Sequence, residues 1–163
     1  MIPNCKIIIL LRDPVERAIS HYFHVARHGF ENLSLEQAMR TERLRLQNCL
    51  TNGDYADPAF RLYSYQSRGL HLEQIKRYQL LFTADQLLIL NSEELITAPK
   101  EVLQQVFTFI GVDSKQEITD LQSQNQGSNR QKITEQVHTQ LSEFFTEPNM
   151  QLFTHIGKDF DWK

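Results

Sequence analysis

Residues 6–22 read KIIILLRDPVERAISHY, a short apolar run that leads directly into a mixed polar and apolar pattern. The apolar run, residues 7–11, shows no alternation, which favours a strand buried on both faces of a parallel sheet. Asp13 and Pro14 fit the N-cap and the first position of a helix, and Glu16 follows three residues after the cap. The stretch therefore predicts a central strand followed at once by a helix.

The rest of the pattern predicts a second buried strand and several more helices. The strand covers residues 86–90, and residues 51–58 are expected to form a loop because turn residues cluster there. Periodicity and capping signals predict further helices, which in chain order cover residues 34–50, 65 or 69 to 82, 92–96, 99–110, 134–145 and 148–156. The sequence thus predicts a single helix-rich α/β domain over residues 1–163.

Composition and charge narrow the classes of function. The chain has 163 residues, 40% of them hydrophobic, and a formal net charge of −3, which argues against a general nucleic-acid binder. Cys5 and Cys49 are isolated, so their spacing predicts neither a disulfide framework nor a zinc site, and no other metal-ligand cluster is seen in the sequence. Any site for an anion must therefore be local.

The sequence also gives no signal for a membrane anchor. Its longest wholly apolar run, residues 7–11, is far shorter than the roughly 20 residues of a membrane-spanning helix, and the amino terminus lacks a signal-peptide layout. We therefore expect no membrane segment in this chain. A cytoplasmic location is the default, unless an upstream signal or anchor belongs to the protein.

Arg12 and Ser20 are the residues whose positions indicate chemistry. Arg12 follows the carboxyl end of the predicted strand, and in open α/β sheets this edge binds ligands. A guanidinium offers several donors suited to a phosphate, and a serine hydroxyl on the next helix adds another. A second interpretation stays open, in which Arg12 pairs with Asp13 or Glu16 and Ser20 is a solvated helix residue.

The stretch 12–22 resembles the 3′-phosphate-binding motif of the sulfotransferases, which use 3′-phosphoadenosine-5′-phosphosulfate (PAPS). The likeness extends over nearly the whole chain, because later segments are similar to successive landmarks of the carbohydrate-type and bacterial members of that family. Those segments are YQSRGL at 65–70, QLLILNSEEL at 86–95, Pro99, FTFIG at 107–111 and GKDFDW at 157–162.

The resemblance implies a fold, a reaction and a binding site. The fold would be a P-loop NTPase-like three-layer α/β/α arrangement with a parallel sheet. The reaction would transfer a sulfuryl group from PAPS to a hydroxyl or amine acceptor, with a carbohydrate favoured, and would need no metal. Arg12 and Ser20 would bind the 3′-phosphate of PAPS. Family members also close a late basic loop over the nucleotide, and Arg130 and Lys132 lie about where that loop falls. A solvated connection before a helix explains these two residues equally well, so both interpretations stay open.

A further part of the family's site is not found in this sequence. The loop that holds the phosphosulfate should precede the Arg12 motif by several tens of residues, yet Met1 lies only a few residues before the strand, and no Gly-x-x-x-x-Gly-Lys-Ser/Thr occurs. We therefore expect an incomplete domain with negligible turnover when isolated. Its expected partner is the missing amino-terminal half or a second copy of the chain, which would cover an unpaired sheet edge.

No catalytic base can be predicted. The histidines of the first helix and His71 are interpreted as surface or packed residues. Tyr55, Tyr63, Tyr65 and Arg68 would suit a sugar, but packing explains them as well, so no role is predicted for them. Two other classes of protein remain as alternatives: a non-catalytic nucleotide-binding or interaction module with the same fold, and a P-loop kinase-like fragment that prefers ATP.

Overall fold

A computed structural model describes residues 5–113 and 135–162 of the chain. The elements follow in the order β1 (Ile7–Leu11), α1 (Pro14–Arg27), α2 (Leu35–Arg45), α3 (Gln47–Asn52), α4 (Pro58–Tyr63), α5 (His71–Gln79), β2 (Leu87–Asn91), α6 (Ser92–Thr97), α7 (Pro99–Ile110) and α8 (Glu135–Ile156). Short 3₁₀ turns cover Ser67–Gly69 and Ala84–Gln86.

The chain divides into two compact units. Of the described residues, 5–12 and 73–113 belong to the first unit, and 13–72 and 135–162 belong to the second. The single domain predicted over residues 1–163 stays a prediction, and each unit is described by itself.

The first unit contains the sheet. Strands β1 and β2 pair in parallel, in a register that runs from Ile7 opposite Leu87 to Leu11 opposite Asn91. Helices α6 and α7 follow β2 and pack against it. Parallel pairing requires a long crossover, and here the crossover is the helical chain between the two strands. The predicted helix-rich α/β fold with parallel strands is confirmed.

Strand β1 differs from its prediction in burial. Leu11 is buried, but Ile8 and Leu10 keep 41% and 48% of their surface exposed, so the expectation of burial on both faces is wrong for the described structure. Side chains of a strand alternate between its two faces, and Ile8 and Leu10 share one face. The described residues leave that face of β1 uncovered.

Helices α1, α2 and α8 build the core of the second unit around Tyr65. Helix α1 begins as the sequence predicts, because the Asp13 carboxylate accepts a hydrogen bond from the Val15 backbone N–H at 2.7 Å and Pro14 takes the first helical position. Its apolar face then packs on α2 and α8. The buried cluster comprises Val15, Ala18, Ile19, Val25, Ala38, Met39, Tyr65, Val137, Leu141 and Phe145.

The two helices predicted before and after Pro148 form one helix, α8. A proline inside a helix removes one backbone hydrogen bond and costs about 3 kcal/mol. Leu141 and Phe145 before it and Leu152 after it are each no more than 2% exposed. Because these residues lie on one helical face, their burial favours a continuous helix and outweighs the lost bond.

The region between α1 and α5 also departs from its prediction. The helix predicted over residues 34–50 is divided into α2 and α3 at Leu46, and α3 continues to Asn52, inside the predicted loop. Gly53, with φ +64°, ends α3 in the left-handed conformation that glycine adopts easily. Helix α4 was not predicted, because its six residues are too few for a clear period.

Candidate functional site

The carboxyl ends of β1 and β2 meet at the same edge of the sheet. Arg12 directly follows β1 at this edge and is half-buried. On the neighbouring strand, Asn91 is buried, and its side-chain oxygen accepts from the Glu93 backbone N–H at 3.2 Å, which caps α6. Both strands thus lead at this edge into the segments where helices begin, which is where α/β sheets bind ligands.

Ser20 lies on α1 in the second unit. Its side chain is exposed, and no hydrogen bond of its hydroxyl is found within residues 5–113 and 135–162. The hydroxyl can therefore donate to a ligand without first breaking an internal bond. The boundary between the two units falls directly after Arg12. Arg12 and Ser20 therefore belong to different units and are joined by the short stretch of chain between them.

Arg130 and Lys132 lie outside the described residues. Their assignment to a loop over the nucleotide stays a prediction.

In the loop between α1 and α2, a buried carboxylate joins α2 to Tyr65. Glu31 accepts from the Arg45 guanidinium at 2.5 and 3.1 Å and from the Tyr65 hydroxyl at 2.8 Å. The backbone N–H groups of Asn32 and Leu33 also donate to it, each at 3.0 Å. Burial would raise the pKa of Glu31, but these donors outweigh it and lower the pKa to about 2. Glu31 is therefore ionised at neutral pH and orders this part of the unit.

A second buried carboxylate, Glu42 of α2, holds residues 65–69. It accepts from the Gln66 backbone N–H at 2.6 Å, the Ser67 backbone N–H at 2.7 Å and the Ser67 hydroxyl at 2.6 Å. Sequence reasoning missed both carboxylates. One signal could have found Glu42, because Ala38, Met39 and Glu42 follow helical spacing and so lie on the same face of α2.

The histidines and aromatic residues mostly make packing contacts. His71 is buried, and its ring lies 5.7 Å from the Trp162 ring, between centroids. Tyr65 is fully buried, and its hydroxyl donates a hydrogen bond to Glu31. The Arg68 guanidinium lies 5.4 Å from the centre of the Phe60 ring. These contacts favour the packing interpretation of Tyr65 over a place in an acceptor cleft.

The second unit also contains a cavity of about 410 Å³ beside α8. Among the described residues, its lining includes Asn149, Phe153 and Trp162 together with the carboxylates of Asp159 and Asp161, and no lysine or arginine. These two carboxylates repel an anion, so the described part of the lining does not attract a phosphate.

Residues 5–113 and 135–162, which the structure describes, contain neither a metal-binding cluster nor a membrane-spanning helix. No group of three or more His, Cys, Asp or Glu side chains in them could hold a metal ion. Among the helices of these residues, none is long and apolar enough to cross a membrane.

A parallel sheet whose strands lead into capped helices at one edge defines an α/β protein. The chain belongs to the sulfotransferase family, because the family model described as "Sulfotransferase domain" matches residues 1–163.

Individual sulfotransferases show the same relationship. The chain is 29% identical over 114 residues to mouse bifunctional heparan sulfate N-deacetylase/N-sulfotransferase 4, a match that covers 69% of this chain and 12% of that protein. It is 31% identical over 122 residues to human bifunctional heparan sulfate N-deacetylase/N-sulfotransferase 3, with the same shares of 69% and 12%. The chain thus spans only a small part of these curated relatives.

A solved structure agrees with the fold. The crystal structure of a sulfotransferase from Alicyclobacillus acidocaldarius superposes with a TM-score of 0.75 at 27% identity, over 95% of this chain and 56% of that chain. The P-loop-like α/β fold that the resemblance implied is thereby confirmed.

Proposed function

We propose that this chain contributes the 3′-phosphate site of an enzyme that transfers a sulfuryl group from PAPS to a carbohydrate. The observation that carries the proposal is the arginine at the carboxyl end of β1, followed on α1 by a serine whose hydroxyl is exposed. Family membership supports the reaction class.

Arg12 and Ser20 are the proposed ligands of the 3′-phosphate. Hydrogen bonds from a guanidinium to a phosphate are charge-assisted and stronger than neutral ones, and the serine hydroxyl adds a neutral donor. The 3′-phosphate takes no part in the bond change, so these two residues bind and orient the donor without touching the reacting atoms. Binding energy from such a remote group can be used to hold the reacting end in place.

The proposed acceptor is a hydroxyl or an amine of a carbohydrate. The relatives named above are N-sulfotransferases of heparan sulfate, which supports an amine on an amino sugar. In the transfer, the acceptor nitrogen or oxygen forms a bond to sulfur while the bond from sulfur to the bridging phosphate oxygen breaks. The acceptor loses a proton, and adenosine 3′,5′-bisphosphate leaves. Positioning and electrostatic stabilisation would dominate such a transfer.

Calorimetric binding of adenosine 3′,5′-bisphosphate tests the proposal without turnover, with AMP as the nucleotide that lacks the 3′-phosphate. We expect the chain to prefer the bisphosphate and Arg12→Ala to remove that preference. Loss of a hydrogen bond to a charged group costs about 1.5–3 kcal/mol, or about tenfold to a hundredfold in affinity. Arg40→Ala is the matched control, because Arg40 is an exposed arginine on α2.

Three results would contradict the proposal. A folded chain without preference for the bisphosphate would favour the interaction module, to which the exposed Ile8 and Leu10 of β1 lend support. A preference for ATP would favour the kinase-like alternative. Equal losses in Arg12→Ala and Arg40→Ala would show that general charge, and not a site at Arg12, attracts the nucleotide.

A further inference from the structure

Glu42 is a buried carboxylate whose described partners are all neutral. Its residue is 2% exposed, and three donors from Gln66 and Ser67 point at its two oxygens, at 2.6 to 2.7 Å. No ion pair of Glu42 is found in the described parts of the chain. These three hydrogen bonds fix the geometry of residues 65–69, here called the 65–69 turn.

The 65–69 turn makes hydrogen bonds to both α2 and α1. From α2, Glu42 holds the turn backbone, and the Met39 carbonyl accepts from the Gln66 side chain at 2.9 Å. From α1, the Arg17 guanidinium donates to the Tyr65 carbonyl. At the other end of the turn, a Cβ added to Gly69 would lie 3.0 Å from Pro14, the first residue of α1.

These contacts fix α1 at two places along its first half. Pro14 sets where the helix begins, and Arg17 sets its rotation about its own axis, because a guanidinium bound to a fixed carbonyl limits how far the helix can turn. Ser20 comes three residues after Arg17, which is less than one helical turn. The position of the Ser20 hydroxyl thus depends on the 65–69 turn, although neither Glu42 nor the turn has to touch the nucleotide.

We propose that Glu42 is a positioning residue for the donor site: its carboxylate fixes the 65–69 turn, and the turn holds α1 so that the Ser20 hydroxyl meets the 3′-phosphate. This role rests on the proposed function. It deepens that function by assigning part of the nucleotide affinity to a side chain buried behind the helix.

A double-mutant cycle on the full chain tests the role. We expect Glu42→Gln to weaken binding of adenosine 3′,5′-bisphosphate about tenfold, the lower end of what loss of an outer-shell partner costs at metal sites. Binding of AMP should not change, because AMP makes no bond to Ser20. In a Ser20→Ala background, Glu42→Gln should have no further effect on the bisphosphate, since the hydroxyl that it positions is absent.

Two further variants complete the design. Ser67→Ala removes one of the three hydrogen bonds and should weaken bisphosphate binding in the same direction by a smaller factor, which keeps the test valid if Glu42→Gln does not fold. Glu36→Gln is the control, because Glu36 lies on the same helix in an exposed pair with Arg40. It should bind like the unchanged chain.

The outcomes separate this role from the proposed function. An equal loss for AMP and the bisphosphate, or a loss that persists in the Ser20→Ala background, would show that Glu42 only stabilises the fold. An unchanged affinity in both Glu42→Gln and Ser67→Ala would also overturn the role while leaving the 3′-phosphate site intact. If the unchanged chain itself shows no preference for the bisphosphate, the proposed function fails first and this role fails with it.

Discussion

The two histidines of α1, His21 and His24, and His28 at its C-cap lie in different surroundings. His24 and His28 are exposed, and their ring centroids are 4.5 Å apart. The His21 ring instead packs on Tyr65, with 5.1 Å between ring centroids, and its Nδ1 atom is buried without a hydrogen-bond partner in the described structure. Burial, and then the positive charges of Arg17 and Arg68, lower the pKa of His21 from 6.5 to about 4.

This difference predicts how stability depends on pH. Between about pH 4 and pH 6.5, His21 is mostly neutral in the folded chain but binds a proton once the chain is unfolded. Stability that is fully present above pH 6.5 is therefore lost as the pH falls toward 4. We expect His21→Gln to reduce this loss, measured as the urea midpoint at pH 7 and pH 5.

The control for this prediction is His138→Gln, which changes an exposed histidine of α8. This variant should keep the pH dependence of the unchanged chain. If His21→Gln and His138→Gln give the same midpoints at both pH values, His21 does not carry the acid sensitivity.

At the scale of elements, the 65–69 turn explains why α1 and α8 can approach each other. Gly69 is buried between them, and a Cβ built there would lie 2.8 and 2.9 Å from two ring atoms of Phe145 and 3.0 Å from Pro14. Real Cβ atoms essentially never lie within 3.0 Å of another heavy atom, so a larger residue requires the Phe145 ring or its surroundings to shift. Glycine is needed here for close packing of the turn.

We therefore expect Gly69→Ala to destabilise the chain by about 1–3 kcal/mol, the usual cost of overpacking a core. Combining it with Phe145→Leu should cost less than the sum of the two single changes, because the smaller side chain frees the space that the new methyl group requires. Urea unfolding of the four proteins measures this coupling. Strictly additive costs would show that Phe145 is not the obstacle.

At the scale of the whole molecule, the chain matches the sulfotransferase family over residues 1–163, but its sequence contains no P-loop motif. The match to the sulfotransferase family covers residues 1–163, yet the chain spans 56% of the bacterial sulfotransferase structure and 12% of the curated relatives described above. The 163 residues contain no Gly-x-x-x-x-Gly-Lys-Ser/Thr to hold a phosphosulfate. The proposed site for the 3′-phosphate would bind a nucleotide, but by itself it would not stabilise the group that is transferred.

We expect the 163-residue chain to bind adenosine 3′,5′-bisphosphate and to transfer negligible sulfate. The assay follows label from PAPS to a polysaccharide with free glucosamine amines, and the fully N-acetylated polysaccharide is the control acceptor. Catalytic groups that act as a unit fail together when part of the set is absent. Label on the free amines above the control would show that residues of this chain also hold the phosphosulfate.

Local signals in the sequence were sufficient for most elements. The apolar run gave β1 at Ile7–Leu11, the Asp13 cap with Pro14 gave the start of α1, and Pro99 and Gly111 gave the ends of α7. Each of these signals acts within a few residues. A cap satisfies the free backbone groups at the end of a helix, and a glycine in the left-handed conformation ends one. The motif around Arg12 likewise identified the family from adjacent residues.

Tertiary structure decided what depends on distant parts of the chain. Helix α8 continues through Pro148 because Phe145 and Leu152 are buried in the folded unit, and Ile8 stays exposed because the described residues do not cover its face. Glu42 meets its partners only after the chain has folded back by more than 20 residues to the 65–69 turn. Local propensity carries no information on such contacts, because burial and hydrogen bonding across the chain are properties of the packed structure.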